Sequence, residues 1–93
     1  MLTKHKFWFA KQTPGEWKHV VTVDFSITDL YEDSEFKTIS SLMKRERRKF
    51  FAQMTEQYGP EGARWSIRWT DWGADIRFRT DADAAGFGMF FTR

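Results

Sequence analysis

The sequence contains no cysteine. Disulfide staples, thiolate catalysis and zinc sites built on sulfur are therefore excluded. A small domain without such cross-links suits a reducing compartment, so the cytoplasm is the expected location. No apolar stretch approaches the ~20 residues of a membrane span. The opening Met1-Leu2-Thr3-Lys4-His5-Lys6 leads into a short apolar run, and no signal-peptide core is seen. Charge of one sign is not in excess, with 15 Lys and Arg against 13 Asp and Glu. A polyanionic partner is thus not implied by net charge, and the distribution of charge is the better guide.

Catalytic signatures are also missing. The sequence shows no phosphate-binding glycine loop, no nucleophile elbow and no metal-ligand spacing. Of the two histidines, His19 falls on the inward face of an alternating strand and reads as a hydrogen-bonded core residue. Asp71, Asp75, Asp81 and Asp83 cluster in sequence, but turns and a helix start account for them. The expectation is a non-enzymatic protein with no cofactor and no metal.

What the chain has is aromatic mass: ten Phe, five Trp and two Tyr in 93 residues. A chain of this length forms one domain, 1–93, with a thin core. Each ring buries ~150–250 Å², so a few of them can close it. The segment 4–10 is aromatic-rich and reads as a strand with Phe7 and Phe9 inward and Lys6 and Trp8 outward. Thr13-Pro14-Gly15-Glu16 fits a type II turn. Residues 17–25 alternate, with Trp17, His19, Val21, Val23 and Phe25 on one face and Lys18, Val20, Thr22 and Asp24 on the other. Residues 64–70 and 74–79 alternate likewise around the turn Asp71-Trp72-Gly73. They turn Trp65, Ile67, Trp69, Ala74, Ile76 and Phe78 inward.

Between the hairpins, apolar residues at 36, 39, 43, 50, 54 and 58 have helical spacing. A helix from 34 to 58, ended by Gly59-Pro60, would be ~37 Å long. That is long for this domain, so the helix either overhangs the sheet or is interrupted. Asp29 and Asp33-Ser34 are its candidate caps, and Asp29-x-x-Glu32 resembles a capping box. Thr80-Asp81-Ala82-Asp83 starts a short helix. Residues 86–91 are read as either its continuation or a short strand. The fold class is α+β: a two-layer domain in the order ββαββα, with a four-stranded antiparallel sheet and one long and one short helix on one face.

Three surfaces are candidates for binding. On the helix, 44–49 hold five basic residues out of six. Lys44, Arg45, Arg48 and Lys49 lie away from the apolar stripe and attract anionic partners, or form a solvated helix back. Arg47 falls inside the stripe and needs a partner or must snorkel. The C-terminal segment carries apolar residues on both sides; either Phe87, Phe90 and Phe91, with Trp72, are left for a partner protein or a second copy, or the small sheet wraps around the segment and uses both faces. The outer sheet face gathers Lys6, Trp8, Lys18, Arg64, Arg68, Arg77 and Arg79. Arginines beside an exposed indole suit single-stranded nucleic acid, while a polar wet face is the ordinary outcome of strand alternation.

The C-terminal third, Trp65-Ser-Ile-Arg-Trp through Ala74-Asp-Ile-Arg-Phe-Arg-Thr-Asp-Ala-Asp-Ala-Ala-Gly-Phe, resembles small uncharacterised accessory proteins of tailed bacteriophages. The resemblance implies a protein acting on a host or phage macromolecule in the host bacterial cytoplasm, and it implies no catalytic residues. The leading expectation is protein binding, with inhibition of the partner as one form of it, through the aromatic C-terminal segment and the basic helix. Nucleic-acid binding by the outer sheet face is the alternative.

Overall fold

The computed structural model describes residues 7–12, 19–32, 35 and 37–91. The described elements run β1 (Phe9–Gln12), β2 (Val20–Asp24), α1 (Ile27–Glu32), α2 (Ile39–Tyr58), β3 (Trp65–Trp69), β4 (Gly73–Phe78) and α3 (Asp81–Phe90). The sheet is antiparallel throughout, in the order β1-β2-β4-β3. The α+β class and the four-stranded sheet are those expected from sequence. The long helix is not continuous. A separate turn of helix, α1, buries Ile27 and Leu30, and α2 begins later, at Ile39, behind its cap Thr38. The threonine side chain caps α2 by accepting from the Ser41 N–H at 3.1 Å. At the other end Gly59 sits at φ 85°, in the region that favours glycine, and its N–H donates to the Thr55 carbonyl at 2.9 Å.

Register explains which side chains are inside. Val21 and Val23 oppose Ile76 and Ala74, and Trp65, Ile67 and Trp69 oppose Phe78, Ile76 and Ala74. These side chains share the face under α2 and α3. Gly73 has no room for a side chain, since a Cβ there would lie 1.8 Å from the Val23 carbonyl oxygen. The start of β4 can therefore approach β2 this closely only without a side chain.

The first strand corrects the sequence reading. Ala10 opposes Val23 and Phe9 opposes Asp24, so Phe9 and Lys11 are on the outer face. Trp8 then points inward and is fully buried. Phe7 and Phe9 are only half-buried. His19 also departs from expectation. It has the inward parity but sits at the rim, where its side chain is 46% exposed and Nδ1 lies 3.1 Å from an Asp81 oxygen at the start of α3. Ile39, counted in the apolar stripe, is exposed at the first position of α2. Residues Lys6, Trp17, Lys18 and Phe36, and the turn at 13–16, lie outside the described residues.

The C-terminal segment is helical through Phe90. Thr80 caps α3, its hydroxyl accepting from the Asp83 N–H at 3.2 Å. Phe87 and Phe91 are fully buried, which removes both from any binding surface; Phe90 is half-buried against Phe91. The opposite side of α3 shows only Ala82, Ala85, Gly86 and Met89 to solvent. Apolar residues on both sides therefore did not require a second partner, because all but Met89 on the outer side are too small to form a patch.

Candidate functional site

The basic helix is more finely divided than its sequence suggests. Glu46 lies in the buried stripe of α2 and its side chain is fully buried. One carboxylate oxygen accepts from the Trp8 indole N–H at 3.1 Å. The other accepts from Arg45 Nε at 3.0 Å and has Lys49 Nζ at 3.8 Å. Arg45 and Lys49 are thus turned toward β1 and neutralised by one carboxylate. Lys44 and Arg48 are exposed and form no ion pair among the described residues. The sequence did carry a signal for Glu46, which stands four residues from both Leu42 and Phe50 in the buried stripe.

Arg47 leans the other way. Its Nη2 donates to the Thr70 carbonyl at 3.0 Å and its guanidinium lies 5.6 Å from the Trp69 ring centre. One turn on, Phe51 packs its ring 5.5 Å from Trp65 and remains 38% exposed. Positions 47 and 51 therefore face β3, while 45, 46 and 49 face Trp8. At 3.6 residues per turn, Lys44, Arg48, Phe51 and Thr55 fall within about 60° of arc, next to Arg47. This stripe combines two free cations with an exposed ring, and the sequence reading did not include Phe51.

The outer sheet face keeps some of its expected cations. Arg68 and Arg77 lie on it, with Thr22 and Ser66, around an open concavity of about 470 Å³. Asp75 occupies the centre of this face. It accepts from Thr22 Oγ1 and from Arg68 Nη2, both at 2.9 Å. Arg64 lines an adjoining hollow of about 200 Å³ with Ser66, Arg77 and Arg79. It bends over the end of the sheet, bonds Asp83 of α3 at 3.0 and 3.4 Å, and stacks 5.3 Å from the Tyr58 ring centre. Arg79 is exposed at the same end. With Trp8 in the core, the outer face has lost the indole meant to stack a base.

Trp72 is separate from both regions. It is 56% exposed on the β3–β4 turn, and its carbonyl is held by the Phe25 N–H at 3.0 Å. Asp24, Ser26, Ile27, Thr28 and Asp29 line a hollow with it. Ser26 here has φ 48°, a left-handed conformation supported by its N–H donating to Asp24 Oδ1 at 2.7 Å.

Tyr58 provides a pH probe of the Arg64 end. It is nearly buried, with its ring against Phe78 and Phe87. Burial raises the phenol above its ordinary value of 10.0; Asp83 adds to this and Arg64 opposes it. An acid whose folded-state value is raised keeps its proton longer in the folded chain than in the unfolded one. Its contribution to stability is full below pH 10 and is lost as pH rises toward the folded-state value. Thermal melts are expected to fall more steeply above pH 10 for the natural chain than for Tyr58→Phe. Parallel curves would show that the phenol does not couple to folding.

No helix among the described residues is long and apolar enough to cross a membrane, and they hold no group of three or more His, Asp and Glu able to bind a metal. Comparison with known proteins finds no matching family, no curated relative and no similar solved structure.

Proposed function

We propose that this domain is a non-enzymatic binding protein that engages another protein through the outer stripe of α2. The observation that carries the reading is the set Lys44, Arg48 and Phe51: two cations without an ion-pair partner among the described residues beside an exposed ring. An aromatic anchor with arginine is the composition of interface hot spots, and free cations add steering at a distance. The C-terminal aromatics no longer support the proposal, since Phe87 and Phe91 are spent on the core. The likeness of the C-terminal third to tailed-phage accessory proteins makes a bacterial lysate the place to look for the partner.

The test is retention of lysate proteins on the immobilised domain, with and without nuclease, compared with the double variant Lys44→Glu/Arg48→Glu. Retention that survives nuclease and falls at least about tenfold in the variant is expected, as charge reversal sets glutamates against the partner's acidic residues. Retention that disappears with nuclease would replace this reading by nucleic-acid binding. Equal retention by the variant would remove the stripe from the interface.

A further inference from the structure

Building on the protein-binding reading, we infer that the open edge of β3 receives an extended acidic segment of the partner as a fifth strand. The two edges of this sheet are unlike. In antiparallel pairs, alternate residues carry the bonds to one neighbour. Along β1, Phe9 and Lys11 bond toward β2, which leaves Ala10 facing outward. Its N–H is taken by the Phe91 carbonyl at 3.0 Å, so the end of α3 closes that edge.

Among the described residues, the β3 edge has no such closure. The Arg79 N–H donates to Arg64 and the Thr70 N–H to Gly73, which sets the phase of the β3–β4 ladder. Residues 64, 66, 68 and 70 carry its bonds. Residues 65, 67 and 69 turn their backbone groups to the edge. The Trp65 carbonyl accepts from the Gly62 N–H at 2.7 Å. Among the described residues, the N–H and C=O groups of Ile67 and Trp69 have no backbone partner. The strand carries no proline or bulge of the kind that blunts an exposed edge, and its one charge is Arg68. An open edge flanked by side-chain pockets is the template for strand addition.

The surroundings specify the occupant. On the helix side, half-buried Ile67 and exposed Phe51 offer apolar contact. On the outer side, Arg68, though paired with Asp75 at 2.9 Å, is 82% exposed next to the same edge and keeps donors for a second carboxylate. From α2, Arg47 reaches the Thr70 carbonyl at the end of this strand, and Lys44 and Arg48 lie on the neighbouring stripe of the helix. A strand that alternates apolar and acidic residues places the first kind by Ile67 and Phe51 and the second by Arg68. A second copy of this chain is disfavoured, since pairing edge to edge brings two basic helices together.

Amide hydrogen exchange on the natural chain tests this directly, with a short blocked peptide alternating valine and glutamate as the probe. The Ile67 and Trp69 amides are expected to gain protection on adding peptide, whereas Ser66 and Arg68, already bonded to β4, change little. A valine–lysine peptide should bind at least about tenfold more weakly. Ile67→Pro should abolish peptide binding, because it removes an N–H that points away from β4. Arg68→Glu, which leaves the backbone intact, should weaken it as well. Unchanged exchange at Ile67 and Trp69 overturns the inference, as does protection that rises with protein concentration alone and so identifies a second copy. If the valine–glutamate peptide fails while a lysate protein is still lost with Lys44→Glu/Arg48→Glu, strand addition is wrong and the helix stripe stands.

Discussion

Phe50→Ala is expected to destabilise the domain by about 3–5 kcal/mol, the cost of removing a large buried ring from a core that cannot collapse around the gap. Phe50 is 1% exposed and sits at the centre of the aromatic cluster. Its ring lies 5.5 Å from Trp8, 5.6 Å from Phe25, 6.1 Å from Phe87 and 6.3 Å from Trp69. Those rings come from the lead into β1, the end of β2, α3 and β3, so one side chain of α2 ties four parts of the chain together. A domain of this size has only about 5–15 kcal/mol of stability in total. The melting temperature should therefore drop by more than about 12 °C. Phe51→Ala is the adjacent control: its ring touches Trp65 but stays partly in water, and its loss should be below about 1 kcal/mol. Urea unfolding measures both, with an unchanged slope showing that the native and unfolded ensembles are otherwise alike. A similar small loss for the two variants would mean that α2 does not hold the core.

Phe50 and Phe51 also show why much of the fold was legible. Neighbours in sequence, they are separated by helical spacing alone, and the stripe through Met43, Phe50, Met54 and Tyr58 places them correctly. Alternation did the same for β2 and β4. It failed in β1, where Phe7, Trp8 and Phe9 are all aromatic and the pattern has no phase. There the pairing of Ala10 with Val23 decides, and nothing local encodes a cross-strand register. The break before α2 was hidden for a related reason. Ile27 and Leu30 supply a single turn of buried residues, too short a stretch for a period to stand out. The neighbours of each strand were equally hidden. That β4 lies between β2 and β3, leaving β3 at an edge, is a property of the assembled sheet.

The candidate site was legible in composition but not in partition. Six consecutive residues announced a basic cluster, and no local rule says which cations remain available. Packing decides it: Glu46 is carried inward with the buried stripe and takes Arg45 and Lys49 with it. On the sheet, Arg68 and Asp75 stand on successive strands of one hairpin, directly opposite in register, so the pair offsets charge that a count of arginines leaves in place. Arg64 shows the same effect at a strand end, where a long side chain follows Asp83 rather than the parity of its backbone.

Glu46→Ala is expected to cost about 2–4 kcal/mol, and the share of that loss assignable to Trp8 is measurable. A buried carboxylate is itself expensive to desolvate, so the pair with Arg45 and Lys49 is weak evidence for net stability. Both cations reach water, with side chains 40% and 44% exposed, and either can be resolvated when the glutamate is gone. The Trp8 indole cannot, because Trp8 is fully enclosed. Its N–H would be left without an acceptor, at about 1–3 kcal/mol, and the missing side chain leaves a cavity besides. Trp8→Phe in the Glu46→Ala background removes the orphaned donor while keeping a ring. The double-mutant cycle of Glu46→Ala and Trp8→Phe should then show a coupling of about 1–3 kcal/mol, the double variant being less destabilised than the two losses added together. Glu46→Gln, which retains an oxygen for the indole but no charge, should fall between the natural chain and the alanine variant. Additive losses in the cycle would show that the indole bond does not fix Trp8 beneath α2, and that shape alone keeps this tryptophan off the outer face of the sheet.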